Sequence, residues 1–204
     1  MSATTPTTPE DARTLLQQGN ARFLRLLQGD GGSLRQVSAP DVAELAKGQQ
    51  PWAVVLGCAD SRVPTEYVFD CAPGELFVVR VAGNIAQAAQ IGSIEFAVTS
   101  FAPKIVLVLG HTRCGAVQAA LNTDINEIES DNLAGVVATI KPALSELPDL
   151  SEPDLDSAAT EANVRQSMQH LRESSVLNQA ESEEVIAIVG AVYQLATGEV
   201  KFID

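Results

Sequence analysis

The sequence predicts an α/β protein, with a mostly parallel central β-sheet flanked by helices. Three observations lead there. Short apolar runs at 52–56, 76–81, 105–109 and 185–189 alternate with longer stretches of helical periodicity, the pattern of parallel strands joined by crossover helices. The runs are rich in Val, Ile and Leu with little polar interruption, as strands buried on both faces are. The chain has 204 residues, 46% of them hydrophobic, enough for one domain with a full core.

Taken in order, residues 1–9 carry neither a basic nor an apolar region, so they read as a flexible lead-in and not a secretory signal. A single domain is expected over 10–204. Glu10 to Leu27 reads as an amphipathic helix, with Leu15, Leu16, Phe23, Leu26 and Leu27 at helical spacing and Gly29-Asp30-Gly31-Gly32 as its stop. Such a helix must lie on its own domain or on a partner chain. Asp41 to Ala46 reads as a short helix before the first strand. Val63-Pro64 opens another through Phe69, proline being tolerated in a first helical turn. After the 76–81 strand, a helix is expected from about Ala86 to Phe101, with Phe96 among its apolar residues and Pro103 beyond its end. The 105–109 strand leads to a helix from near Arg113 to Leu121. A helical region over 132–147 is expected to kink or break at Pro142. An acidic, proline-bearing loop then runs to Ser157, one helix covers Ala158 to Asn178, and an edge strand follows the 185–189 run.

Composition removes several function classes. Net charge is −13, which argues against nucleic acid and against an anionic membrane surface as partners. No apolar run reaches transmembrane length. Neither G-x-G-x-x-G nor G-x-x-x-x-G-K occurs, so nucleotide folds lose their usual support. Three cysteines, Cys58, Cys71 and Cys114, are too few and odd in number for a disulfide framework, and they point to a reducing, cytoplasmic compartment.

The chemistry gathers at two strand ends. Val54-Val55-Leu56 runs into Gly57 and then Cys58-Ala59-Asp60-Ser61-Arg62; Val106-Leu107-Val108-Leu109 runs into Gly110 and then His111-Thr112-Arg113-Cys114. In open α/β sheets, sites are built at the carboxyl ends of strands. Two thiols and an imidazole favour zinc over magnesium or calcium, and Cys114 at a helix start should ionise readily. Three protein ligands mark a catalytic site in which a water takes the fourth place. Cys71, in a turn, and His170, in a helix, are poorly placed as fourth ligands. Cys58, Asp60 and Arg62 share one face if the segment is extended. Arg62 can then clamp the Asp60 carboxylate, and an unclamped Asp60 could swing onto the metal and close the site. Singly, each feature has a plain reading as a small core thiol or a solvated charge; the pairing of C-x-D-x-R with H-x-x-C-G behind two strand ends is what carries weight.

The two segments Cys58-Ala59-Asp60-Ser61-Arg62-Val63 and His111-Thr112-Arg113-Cys114-Gly115-Ala116 resemble the β-class carbonic anhydrases. So do 74–80, 92–98 and Gly190-Ala191-Val192-Tyr193, and the resemblance spans nearly the whole chain from about residue 10. It implies one zinc per subunit held by Cys58, His111 and Cys114, an Asp60–Arg62 dyad, and hydration of carbon dioxide to bicarbonate and a proton by zinc-bound hydroxide. It also implies a substrate pocket lined by Gln49, Phe77, Ala82 and Gly115, and a homodimer, in many members paired into tetramers. The leading helix would reach onto the partner, and Gln49 or Phe77 would serve the partner's zinc. Plant-type members often carry tyrosine where this chain has Phe96. Members regulated by a bicarbonate pocket carry tryptophan where it has Val55, which favours the open-site type. Rival readings are a hydrolase of carbonyl sulfide or carbon disulfide on the same scaffold, and a noncatalytic zinc or assembly protein.

Overall fold

The computed structural model describes residues 5–30, 39–151 and 154–203. The first four residues of the expected lead-in, Gly31-Gly32 of the expected helix stop, and two positions of the acidic loop lie outside them. Helix α1 spans Pro9–Leu27. Thr8 caps it, its hydroxyl accepting from the Asp11 N–H while the Asp11 carboxylate accepts from the Thr8 N–H. The other elements are α2 (Ala39–Leu45), β1 (Ala53–Cys58), α3 (Thr65–Val68), β2 (Leu76–Val81), α4 (Ala88–Phe101), β3 (Ile105–His111), α5 (Gly115–Asn122), α6 (Asp131–Leu144), α7 (Asp154–Arg172), α8 (Ser175–Ser182), β4 (Ala187–Tyr193) and β5 (Val200–Ile203). Single 3₁₀ turns at Ala82–Asn84 and Ile125–Glu127 follow β2 and α5.

One five-stranded sheet runs in the order β2-β1-β3-β4-β5. The pairs β1–β2, β1–β3 and β3–β4 are parallel, and β5 folds back antiparallel on β4 as the expected edge. Strands β1 and β3 are buried along their whole length, which is why they read as unbroken apolar runs. The chain leaves β1 to one side for β2 and to the other for β3, so the switch point lies between β1 and β3, at their carboxyl ends. Apolar clusters fill both faces: Leu56, Ile94, Val108 and Leu171 on one, Leu16, Val55, Phe69 and Leu107 on the other.

Several expectations need correction. Gly57 and Gly110 do not end their strands; they lie inside them, and Cys58 and His111 are the last strand residues. The ladder continues because Gly57 still pairs with Arg80 and Leu109. Pro142 neither breaks nor ends α6, because it falls in the last turn, where little helix remains to be disturbed. The helix expected over 158–178 is two helices, α7 and α8, with the Ser174 hydroxyl capping the second by accepting from the Leu177 N–H. Helix α1 forms as expected, and within the chain it buries Ala12, Leu16, Gly19 and Asn20, with Phe23 packed beside them. Among its apolar residues Leu27 is exposed.

Candidate metal centre and active site

Three elements bring the centre together. Strand β1 delivers Cys58, strand β3 delivers His111 as its last residue, and Cys114 is the N-cap of α5 three positions on. All three are buried, and the two cysteines sit in an apolar cluster with Ile85, Val117, Val137 and Ala159. Their ligand atoms lie within 4.8 Å of one another. The Sγ–Sγ distance of 3.9 Å is far beyond a disulfide bond. It matches the separation of about 3.8 Å that two sulfurs take on a tetrahedral zinc with Zn–S bonds near 2.3 Å. His111 Nδ1 lies 3.0 Å from the Thr112 carbonyl, which can only accept, so Nδ1 carries the proton. The other ring nitrogen, Nε2, is buried without a hydrogen-bond partner. Two soft sulfurs and an orphaned imidazole nitrogen fit zinc.

The acid–base pair sits beside the cluster. Arg62 Nε donates to Asp60 Oδ1 at 2.9 Å and Nη2 to Oδ2 at 2.6 Å, a bidentate clamp. The segment is not extended, as the alternation had implied. It turns, with the Arg62 N–H donating to Asp60 Oδ1 at 2.9 Å and the Val63 N–H to the Asp60 carbonyl at 3.1 Å. That turn, not strand alternation, puts the two side chains together. Asp60 Oδ2 lies 3.8 Å from His111 Nε2.

These contacts order the charges. The Arg62 hydrogen bond holds the Asp60 carboxyl well below the usual carboxylate range. The hydrogen bond from Cys114 brings the Cys58 thiol down to about 4. Cys114 moves the other way, chiefly because its proton is shared with the Cys58 sulfur. The helix-start amides of Ala116 and Val117 do lower it, as expected of an N-terminus, but they are outweighed. Burial opposes a charged His111 ring, yet its interaction with the Cys58 sulfur leaves the ring raised overall. A divalent cation held by Cys58 and Cys114 would take the place of that shared proton.

The expected pocket residues divide into two groups. Ala82 borders the cluster, since the next residue, Gly83, donates its N–H to Cys58 Sγ at 3.4 Å. Gly115 follows Cys114 and is exposed, with open space where a side chain would stand. Gln49 and Phe77 are not brought to the cluster. Gln49 lies before β1, in a cavity of about 590 Å³ shared with Leu45, Pro73 and Gly74. Phe77 pairs in register with Val54, four residues before Cys58, which is roughly 13 Å along the strand. Its ring packs at a tilt against Phe96 and Phe101, and Phe96 is 55% exposed. Cys71 is half-buried in the turn before β2, its S–H donating to the Phe69 carbonyl at 3.4 Å. His170 lies in the last turn of α7.

Residues that the sequence did not single out complete the surroundings. Arg80 donates from Nε to the Cys58 carbonyl at 2.9 Å and from Nη2 to the Asp60 carbonyl at 2.5 Å. Asp156 accepts from the Arg113 N–H at 2.9 Å. Arg80 stood out only as a charge in an otherwise apolar strand, and Asp156 looked like one more acid in an acidic loop.

Fold and site together define a metal-dependent α/β enzyme whose ligands leave two adjacent parallel strands at their switch point. The family model described as "Carbonic anhydrase" matches residues 53–200. A carbonic anhydrase of Mycolicibacterium smegmatis is 38% identical over 198 residues, covering 95% of this chain and 92% of that one. The β-carbonic anhydrase of Coccomyxa, solved with acetazolamide, superposes with a TM-score of 0.73 at 28% identity, over 79% of this chain and 75% of that one. Tetrameric β-carbonic anhydrases of Sordaria macrospora share the fold, with a TM-score of 0.71 at 24% identity over 79% of this chain and 85% of theirs. The chain belongs to the carbonic anhydrase family, in its β class, and is an enzyme of reversible carbon dioxide hydration.

Proposed function

We propose that the reaction takes place beside Cys58, His111 and Cys114, which hold one zinc ion per subunit, with Asp60 as hydrogen-bond acceptor and Arg62 as its clamp. Bound there, zinc supplies the Lewis acidity that brings the pKa of a water from about 15.7 toward 7. The rest is done by the chain. Asp60 faces the ligands but has both oxygens engaged by Arg62, so it orients a water and does not add itself to the metal. Its depressed pKa keeps it an acceptor at neutral pH, and the proton released by the reaction leaves by another route. His170 is not that route, being some 20 Å along α7 from Asp156. Ala82 and Gly115 form the near wall, where carbon dioxide meets small side chains. The bidentate Arg62–Asp60 clamp is the observation that carries this reading, because it holds the carboxylate off the three ligands.

The far wall comes from a second copy in a homodimer. Gln49 and Phe77 lie at the opposite end of β1 and β2 from the chain's own centre, and the Phe77, Phe96 and Phe101 group presents an apolar, partly exposed face. Among the described residues no helix is long and apolar enough to cross a membrane. A chain with only three cysteines, odd in number, suits a reducing, cytoplasmic compartment.

Stopped-flow carbon dioxide hydration with metal analysis tests the assignment. Cys58→Ala is expected to lose both zinc and activity. Asp60→Asn is expected to keep zinc and lose about 10²-fold in kcat/KM. Activity that survives loss of Cys58 sinks the assignment.

A further inference from the structure

Asp156, Thr160, Asn163 and Ser167 recur at helical spacing along α7, and every one is buried, Asp156 at 7% exposure and the others at 1%. A buried polar stripe is costly unless its groups are bonded. Two of these residues bond the backbone between His111 and Cys114, and a third bonds Gly83, whose N–H reaches Cys58 Sγ. Asp156 Oδ2 accepts from the Arg113 N–H at 2.9 Å, and its Oδ1 accepts from Gln118 Nε2 at 2.6 Å. It thereby pins the segment between His111 and Cys114, where Arg113 holds a φ of +55°, unfavourable for a residue with a side chain. The Thr160 hydroxyl donates to the His111 carbonyl at 3.5 Å. Asn163 Nδ2 donates to the Gly83 carbonyl at 2.8 Å, and the Gly83 N–H donates in turn to Cys58 Sγ.

We propose that Asp156, Thr160 and Asn163 are positioning residues, a single helix-borne frame that sets the placement of all three ligands and hence the affinity for zinc. This rests on the zinc reading above. Two further observations support it. A Cβ on Gly110 would stand 2.6 Å from Val164 Cγ2 and 3.2 Å from Thr160 Cγ2, so the bare backbone one residue before His111 is what lets α7 approach this closely. Asn163 also keeps its amide although its Oδ1 is buried without a partner, a cost that an apolar residue would avoid. The amide is held there for its donor. Partners of this kind fix ligand orientation in metal sites, and losing one typically weakens metal binding 10- to 100-fold.

The test reads the zinc dissociation constant by competition with a chromophoric chelator, the sulfur-to-cobalt charge-transfer bands of the cobalt-loaded protein, and the thermal midpoint. Asp156→Ala and Asn163→Ala are expected to weaken zinc binding roughly 10- to 100-fold and to shift the cobalt bands. Asp156→Asn keeps an oxygen for the Arg113 N–H, and can bond Gln118 once that amide turns over, so it is expected to restore affinity. Leu171→Ala, in the sheet-facing core of the same helix, is expected to lower the midpoint with zinc affinity unchanged. If the alanine variants do not fold, Gln118→Ala removes one of the two bonds on Asp156 from a half-buried position, and a smaller loss of affinity is expected. Wild-type affinity and bands in Asp156→Ala and Asn163→Ala, or in Gln118→Ala where those do not fold, overturn the frame. So does a loss in Leu171→Ala equal to theirs. A wild-type protein that binds no zinc overturns the zinc reading itself, and the frame with it.

Discussion

Asp60 and Arg62 form one unit, and their pH behaviour follows from it. Asp60 is ionised well below its ordinary 3.8 because Arg62 hydrogen-bonds its charged form. A carboxyl lowered on folding adds stability above about 3.8 and loses it as pH falls through the folded value. The clamp is therefore complete at every pH from weakly acidic upward, and the pH profile of hydration near neutrality does not report Asp60. Arg62→Ala removes both guanidinium hydrogen bonds and leaves only the backbone N–H of residue 62 on Oδ1, so Oδ2 is released toward the ligands. Zinc is expected to remain bound while kcat/KM falls at least tenfold, measured by metal analysis beside stopped-flow assay. Retention of full activity would count against the clamp. At this scale much of the candidate site was legible. Cys58, Asp60, Arg62, His111 and Cys114 announce themselves because ligand types and spacing are written locally. The turn joining Asp60 to Arg62 was not legible, because an extended run and a tight turn both fit so short a polar segment.

Helices α7 and α8 and strand β4 meet at a second clamp. Arg172 donates from Nε and Nη2 to the two carboxylate oxygens of Glu181, at 2.7 and 2.8 Å, and again from Nη2 to the Ile188 carbonyl at 2.8 Å. Glu181 Oε1 also accepts from the Ile188 N–H at 3.1 Å. Burial opposes ionisation of Glu181, but these bonds win and its pKa falls below the ordinary 4.5. The clamp's stability is thus present above about 4.5 and fades as pH drops through the folded value. Glu181→Gln is expected to cost about 2 kcal/mol at neutral pH and to flatten the stability slope below pH 5, read by urea melts at several pH values. An unchanged slope would show that the clamp contributes nothing. Elements were easier to name than to bound. Buried strands stand out as apolar runs, but the division of α7 from α8 depends on a Ser174 cap inside a continuous periodic pattern. The polar stripe of α7 stayed hidden for a related reason: Asp156, Thr160 and Asn163 look like a solvent face until the helix is laid on the sheet.

For the whole molecule, the centre and two of its expected wall residues lie at opposite ends of the same strands. The proposed second copy would account for that division. Phe96→Glu places a charge in the exposed aromatic group and is expected to lower the mass observed by light scattering. Activity should fall with dissociation, since Gln49 and Phe77 would no longer reach a partner's centre. A monomer with full activity would show that one chain suffices. No pattern in a single sequence marks which apolar side chains of a helix stay exposed, so Phe96, 55% exposed, read only as one apolar residue among several.

The continuous pairing of β1 with β3 has a consequence for how this chain tolerates insertions and deletions. Gly57 stands opposite Leu109 on the last rung of that ladder; just past it Cys58 pairs with Val81 of β2 and His111 with Tyr193 of β4. One residue added within 53–58 or 105–111 would turn every later side chain of that strand to the opposite face and part the thiol from the ring. Among the described residues, the stretches between α5 and α6 and between α6 and α7 carry no such rungs. Chain length is free to drift in those connections and is pinned in the two strands.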